Sequence, residues 1–207
     1  MAADRQAVLS WLADLSATII QDADDLSDVT ARISAAPDLD AAAFALEALT
    51  LMRIVGESVT LASDFDRISV PASVTGETRN AIAIMVSMGL AVAGCRAEWA
   101  SRPMARSARS RVSSAGDEGA AAADMLGGDG ADLYAWLTGV TAISCRLISD
   151  IAADAAPVIR VSTGISLPST VLAYQLYGDA KRAGGLIDLA GSSTPMVMPT
   201  LFDAIAS

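Results

Sequence analysis

The chain contains no histidine, only two cysteines, and few aromatic residues (4%). Without histidine, neither a Ser–His nor a Cys–His nucleophile pair can form, and no imidazole can ligate a metal. Cys95 and Cys145 lie too far apart in sequence for a CxxC zinc or redox motif. We interpret them as two reduced core thiols, although the fold could also bring them together. These absences predict that the protein is not an enzyme and binds neither cofactor nor metal.

The composition fits a helix-rich, acidic protein. The chain has 207 residues, which is enough for one large domain or two small ones. Apolar residues make up 53%, and 42 residues are alanine, which favours helices. A net charge of −10 argues against general nucleic-acid binding, because phosphate contacts need clustered cations. Asp4 and Asp14 interrupt the apolar N-terminal stretch and argue against a secretory signal.

Residues 4–35 carry the clearest helical periodicity. Apolar residues recur there in alternating steps of four and three, which is the spacing of a coiled coil. Asp22 would be a polar interruption of this seam. One interpretation is an interface with another subunit, and the other is an ordinary amphipathic helix packed on its own domain. The candidate interface residues of this N-terminal seam are Val8, Leu12, Leu15 and Ile19.

The rest of the first three quarters of the chain predicts a bundle of about four helices. Residues 1–106 form the main helical region, and 131–157 form a long helix that completes the bundle. The Ser/Ala/Gly-rich residues 107–130 predict a flexible connection around one Ala-rich helical piece. The uncharged run 81–95 is too short for a membrane helix, so we expect a buried helix and no stable membrane span.

One basic patch stands out in this acidic chain. It could contact DNA, an acidic partner surface or carboxylates of the chain itself, and the last two are favoured because no aromatic residues interleave the later arginines. Asp64 and Asp66 form a lone DxD pair without the other features of a calcium loop, which favours solvated loop carboxylates. The candidate interface arginines are Arg102, Arg106, Arg109 and Arg111.

Residues 158–207 change in character and predict a small β-α-α-β module. Residues 158–162 alternate and are β-prone, and residues 196–205 could return as the second strand. Between them, one helix ends at Gly178, and Asp179 caps the next. Such a module is too small for a rich core unless it docks on the helices.

The run VSTGISLPSTVLAYQLYGDAKRAGGLIDLAG at 161–191 resembles the C-terminal signature of the phage DNA-circularisation protein family, the Mu-type tail protein N. The similarity covers residues 132–201 and includes the Leu-Pro step, the helix ending in Tyr-Gly-Asp, the Ala/Arg helix and the Pro-containing tail. The preceding helices match only in composition. The family's extra β-rich N-terminal domain has no counterpart here, and 184–191 replaces its charged, Asn-containing segment. The β-α-α-β order with its Gly-Asp break is also similar to a LysM module.

This resemblance implies a structural component of a phage or phage-like tail, near its baseplate or hub. Its partners would be other tail proteins, and its own copies would form a homo-oligomeric ring in a virion assembled in the bacterial cytoplasm. The alternative is a peptidoglycan- or glycan-binding module on a helical stalk. Literal DNA circularisation follows from the family's name alone, and the net charge disfavours it. In the C-terminal module the candidate interface residues are Tyr174, Tyr177, Gly178 and Asp179, although core packing explains the tyrosines equally well.

Overall fold

The fold is given by a computed structural model, which describes residues 3–206. It confirms a mainly helical protein, with 72% helix, nine α-helices and one two-stranded antiparallel sheet in the described part of the chain. The helices are α1 Arg5–Ile19, α2 Ala23–Ala35, α3 Ala41–Ser58, α4 Ala62–Arg67, α5 Gly76–Arg96, α6 Arg102–Asp124, α7 Ala131–Asp154, α8 Ser169–Tyr177 and α9 Ala183–Ala190, and the strands are β1 Val158–Ser162 and β2 Leu201–Ile205.

The chain divides into two compact units. The helical unit comprises Met1–Trp99 and Ala105–Ile151, and the C-terminal unit comprises Ala100–Met104 and Ala152–Ser207. The second unit therefore begins before the predicted boundary at residue 158 and includes a short segment at the start of α6.

The N-terminal periodic segment is two helices and not one. Asp22 has an extended backbone (φ −74°, ψ 129°), and its carboxylate accepts hydrogen bonds from the backbone N–H groups of Asp24 (2.9 Å) and Asp25 (3.1 Å). It is the N-cap of α2, where a carboxylate satisfies donors that lack helical partners. The prediction of Asp22 as a polar position inside a continuous seam is therefore wrong.

Helix α5 is the centre of the helical unit, as its uncharged sequence predicts. Twelve of its residues are buried, and it packs closely on α3 where two glycines meet. A Cβ atom added to Gly56 would lie 2.9 Å from the carbonyl oxygen of Gly89, so only glycine permits this approach. By length and composition α5 could cross a membrane, but 67% of its most apolar window is buried, as in the core helix of a globular domain.

The predicted flexible connection over 107–130 is wrong for residues 107–124, which belong to the continuous helix α6. Its small residues serve close packing. A Cβ on Gly116 would lie 2.4 Å from Cγ2 of Thr141, and one on Gly119 would lie 2.3 Å from Oγ of Ser87. Glycine and alanine therefore let α6 approach its neighbours, and the cost in helix propensity is offset by burial. The connection to α7 is only the short segment 125–130.

The C-terminal unit has the predicted order strand, helix, helix, strand. Strands β1 and β2 pair antiparallel, with Val158 opposite Ile205 and Ser162 opposite Leu201. Gly178 ends α8 in the left-handed conformation (φ +71°) that favours glycine. The buried core residues are Leu172, Ala173, Ala183, Leu186, Met198, Phe202 and Ala204.

Candidate protein interface

The N-terminal seam is not an exposed surface. Val8, Leu12, Leu15 and Ile19 are all buried, with Leu12 and Ile19 at 0% exposure. They belong to the core of the helical unit, and the prediction that they contact another subunit is wrong. The alternative, an amphipathic helix packed on its own domain, is what the structure contains. An apolar seam is buried by whatever apolar surface lies nearest, and here that surface is in the same chain.

Arg111 is occupied within the helical unit. Its guanidinium donates to Oδ1 of Asp66 at 2.6 Å and to the backbone oxygens of Asp66 (3.1 Å) and Ile68 (2.7 Å). It also lies 5.0 Å from the centre of the Phe65 ring, which is buried. This arginine joins α6 to the end of α4 by charge, hydrogen bonds and stacking. It is a structural residue, as the self-neutralisation alternative predicts, and Asp66 is its partner and not a free loop carboxylate.

Arg102 has a similar structural role in the C-terminal unit. Its side chain donates to the backbone oxygens of Ala152 (3.1 Å) and Ala153 (3.0 Å), at the C-terminal end of α7. Carbonyl groups in the last turn of a helix lack helical donors, so a cation there satisfies them and complements the helix dipole. These bonds give Arg102 a structural role, and its role at an interface stays a prediction.

Arg106 and Arg109 are the exposed members of the basic patch, and in the described part of the chain neither forms an ion pair. Both lie on α6.

Cys145 lies beside Arg109, and its Sγ donates to the Arg109 carbonyl at 3.8 Å. Burial raises the pKa of the Cys145 thiol, the Arg109 charge opposes this, and the Cys95 and Asp117 side chains add to it. Both cysteines are free thiols, and a raised pKa makes Cys145 a poor nucleophile.

The four predicted residues around the end of α8 divide between structure and surface. The Tyr177 hydroxyl accepts from the Ile205 N–H at 3.1 Å, and the Arg182 guanidinium lies 3.9 Å from the centre of its ring. Gly178 is the helix cap, and the Asp179 carboxylate accepts from the Lys181 N–H at 2.9 Å. These three residues shape the module. Tyr174 is strongly exposed (66%), and Gly178 and Asp179 are exposed as well, so these three residues are accessible to a partner while Tyr177 is half-buried.

The structure brings together two loops of the C-terminal unit that the sequence analysis missed. The Met198 N–H donates to the Leu167 carbonyl at 3.1 Å, and the Ser169 N–H donates to the Pro195 carbonyl at 2.8 Å. The loop after β1 therefore runs beside the loop before β2. Together they expose three large apolar side chains, which we call the loop patch: Ile165, Met196 and Val197.

The sequence did carry a signal for the loop patch. Aliphatic residues that stand beside Pro and Ser in short connections lie outside the helices and strands, so the sequence favours their exposure on the surface. The second strand predicted over 196–205 is too long at its start. The strand begins only at Leu201, so Met196 and Val197 precede it and lie on the surface.

Other kinds of site are not indicated by these residues. Within residues 3–206, no group of three or more His, Cys, Asp or Glu side chains is arranged to hold a metal ion. An apolar groove of about 370 Å³ in the helical unit is lined by residues that include Phe44, Leu49, Ile84 and Leu133. It offers shape and apolar contact but little polar chemistry.

In comparisons with known proteins, no family model matches this chain, and no curated protein is significantly similar to it.

Proposed function

We propose that this protein is a structural component of a phage or phage-like tail, in the baseplate or hub region, and that it acts through subunit packing. Two lines of support converge on this proposal. The first is the resemblance of residues 132–201 to the phage DNA-circularisation family. The second is the surface of the C-terminal unit, which presents apolar side chains of the kind that protein interfaces bury.

The loop patch is the observation that carries the proposal. Ile165, Met196 and Val197 are 64%, 68% and 61% exposed, on two loops held side by side by backbone hydrogen bonds. Because each side chain is about two-thirds exposed, its full burial against a partner would contribute roughly 1–2 kcal/mol. The hydrogen-bonded loops present these side chains on a fixed backbone, which lowers the ordering cost of association.

A glycan-binding module is the alternative function, and the exposed ring of Tyr174 is the observation that favours it. Sugar rings pack on aromatic faces and need hydrogen-bonding groups around them. The loop patch is aliphatic and offers neither. Packing against protein is therefore the better explanation of the C-terminal surface, and Tyr174 becomes the residue that separates the two functions.

The proposal predicts where the chain is found. Electron microscopy of purified particles from the source cells would place it in a ring around the tail axis, in contact with other tail proteins. Recovery of the protein only as a free monomer, absent from any particle, would overturn the proposal. Binding to purified peptidoglycan that is lost in Tyr174→Ala would favour the glycan alternative.

Substitutions can test whether the loop patch is the surface that holds the protein in the particle. Val197→Asp adds a charge to an exposed position, so the isolated chain should fold normally but fail to enter particles. Leu46→Asp is the matched control, because Leu46 is similarly exposed (68%, against 61% for Val197) and lies on α3 of the helical unit. If both variants assemble as well as the unmodified chain, the loop patch does not carry the interface.

A further inference from the structure

Helix α7 carries a second periodic seam that faces outward. Its positions repeat in alternating steps of four and three, the spacing that keeps one helix face against a partner helix. Every position of this seam is exposed, including the large side chains Trp136 (45%) and Ile143 (62%). The members of this outward seam are Asp132, Trp136, Gly139, Ile143, Arg146 and Asp150.

The orientation of α7 is fixed by its buried side. Leu137 and Ile148 are buried, and the Ser144 hydroxyl donates to the Ala91 carbonyl of α5 at 2.7 Å. These positions lie on nearly the opposite side of the helix from the outward seam, so the outward seam cannot turn into the core without exposing them. The helix therefore presents a tryptophan and an isoleucine to solvent at fixed positions, on a rigid element.

Gly139 has no explanation within the chain's own fold. A glycine in the middle of a long helix costs about 1 kcal/mol relative to alanine. Gly116 and Gly119 of α6 repay this by close packing, since a Cβ there would collide with a neighbour. A Cβ on Gly139 would meet nothing within 4 Å. Because Gly139 also lies in the middle of the outward seam, its missing side chain leaves room for a second helix to approach α7 closely at this point.

We propose that α7 pairs antiparallel with α7 of a second copy of this chain, about a two-fold axis at Gly139. In such a pair, positions equally far before and after the axis face each other. Asp132 and Arg146 are equally far from Gly139, so each carboxylate meets the guanidinium of the other copy. Trp136 lies three residues before Gly139 and Ile143 lies four residues after it, so each Trp136 comes within one position of facing Ile143 of the other copy. The seam is complementary to itself in charge and in shape.

The size of the contact fits a modest affinity. From Asp132 to Asp150 the seam is about 27 Å long at a rise of 1.5 Å per residue. One helix pair of this length buries less than the roughly 800 Å² per partner of a standard stable interface. We therefore expect a dimer that dissociates on dilution. The outward seam belongs to the helical unit and uses none of the residues of the loop patch, so this inference does not depend on the proposed tail function.

Sedimentation velocity of the full chain over a range of concentrations tests the pairing. The unmodified chain should shift from monomer to dimer as concentration rises. Gly139→Glu places two carboxylates against each other at the axis and should weaken dimerisation at least about tenfold. Gly185→Glu is the matched control, because Gly185 is also an exposed helical glycine whose Cβ would meet nothing within 4 Å. Circular dichroism would verify that both variants fold.

A charge exchange identifies the geometry. Asp132→Arg and Arg146→Asp, made singly, place like charges opposite each other and should each weaken the dimer. The double variant restores opposite charges and should recover dimerisation. A chain that stays monomeric at every concentration would overturn the proposal. So would a dimer that is insensitive to Gly139→Glu, or single variants that are not rescued by the double variant.

Discussion

The N-terminal seam and the outward seam of α7 share one spacing but meet opposite environments. Val8, Leu12, Leu15 and Ile19 are buried in the helical unit, whereas the outward seam is exposed along its whole length. Spacing defines a helix face, but it does not identify what covers that face. The side chains themselves carry that second kind of information.

The side chains of the two seams differ in chemistry, and this difference matches their different burial. The N-terminal seam is continuously apolar within α1, and a face of that kind is driven into the nearest core. The outward seam alternates apolar residues with charges and a glycine, so it can be hydrated in a monomer and still match a second helix. If the proposed pairing of α7 is confirmed, the interface of this protein lies at the seam of mixed chemistry and not at the purely apolar one.

The largest expected effect comes from comparing one substitution in each seam. Leu12→Ala removes a side chain with 0% exposure and leaves a cavity, so it should lower the free energy of unfolding by about 2–5 kcal/mol. Ile143→Ala removes a side chain that is 62% exposed and should change stability by less than about 0.5 kcal/mol. Urea denaturation of dilute samples measures both. Equal losses would mean that the two faces are buried alike.

Two arginines of the basic patch allow the same comparison between an occupied and an exposed side chain, with a smaller expected change in stability. Arg111→Ala loses the bonds to Asp66 and Ile68 and the stacking on Phe65, which should cost about 1–2 kcal/mol. Arg109→Ala is the control on the same helix and should change stability by less than about 0.5 kcal/mol, because its side chain is exposed. The melting temperatures of the two variants compare them directly, and a similar loss in both would contradict the structural role of Arg111.

Much of the fold was predictable from local sequence. The buried helix α5, the two strands at the ends of the C-terminal unit and the cap at Gly178 follow from uncharged runs, alternation and a turn glycine. The length of α6 was not predictable, because glycine and serine favour loops unless a neighbouring helix packs against them. At Gly116 and Gly119 that neighbour comes from elsewhere in the chain, so no local pattern reveals it.

The interface residues were harder to predict than the fold. The arginines of the patch look alike in sequence, yet Arg102 and Arg111 donate hydrogen bonds within the protein, whereas Arg109 forms no ion pair with any residue from 3 to 206. What separates them is the position of distant carbonyl and carboxylate groups such as Asp66. For the loop patch the sequence indicates surface loops but not their association, since only the folded chain brings Ile165 close to the loop before β2.

Substitution of Asp22 tests whether this residue stabilises the protein as the N-cap of α2. Asp22→Ala removes the acceptor for two N–H groups at the start of α2 and should cost about 1 kcal/mol of stability. Asp14→Ala is the control, since Asp14 is exposed within α1 and alanine has the higher helix propensity. Thermal unfolding measures both changes. If the Asp22 variant were as stable as the control, the break between α1 and α2 would not depend on this cap.

The smallest expected effect is a gain in stability. It tests whether Gly139 of the outward seam is needed for the fold of the monomer. Gly139→Ala adds a methyl group in open space and removes the conformational freedom of glycine in the unfolded chain. It should therefore stabilise a dilute, monomeric sample by about 0.5–1 kcal/mol. Gly116→Ala makes the same change on α6, where the new Cβ would meet the Thr141 side chain at 2.4 Å, and it should destabilise the protein. Chemical denaturation at low concentration gives the sign of each effect. A loss of stability in the Gly139 variant would mean that this glycine serves the fold of the monomer, and the argument that it is kept for a second helix would fail.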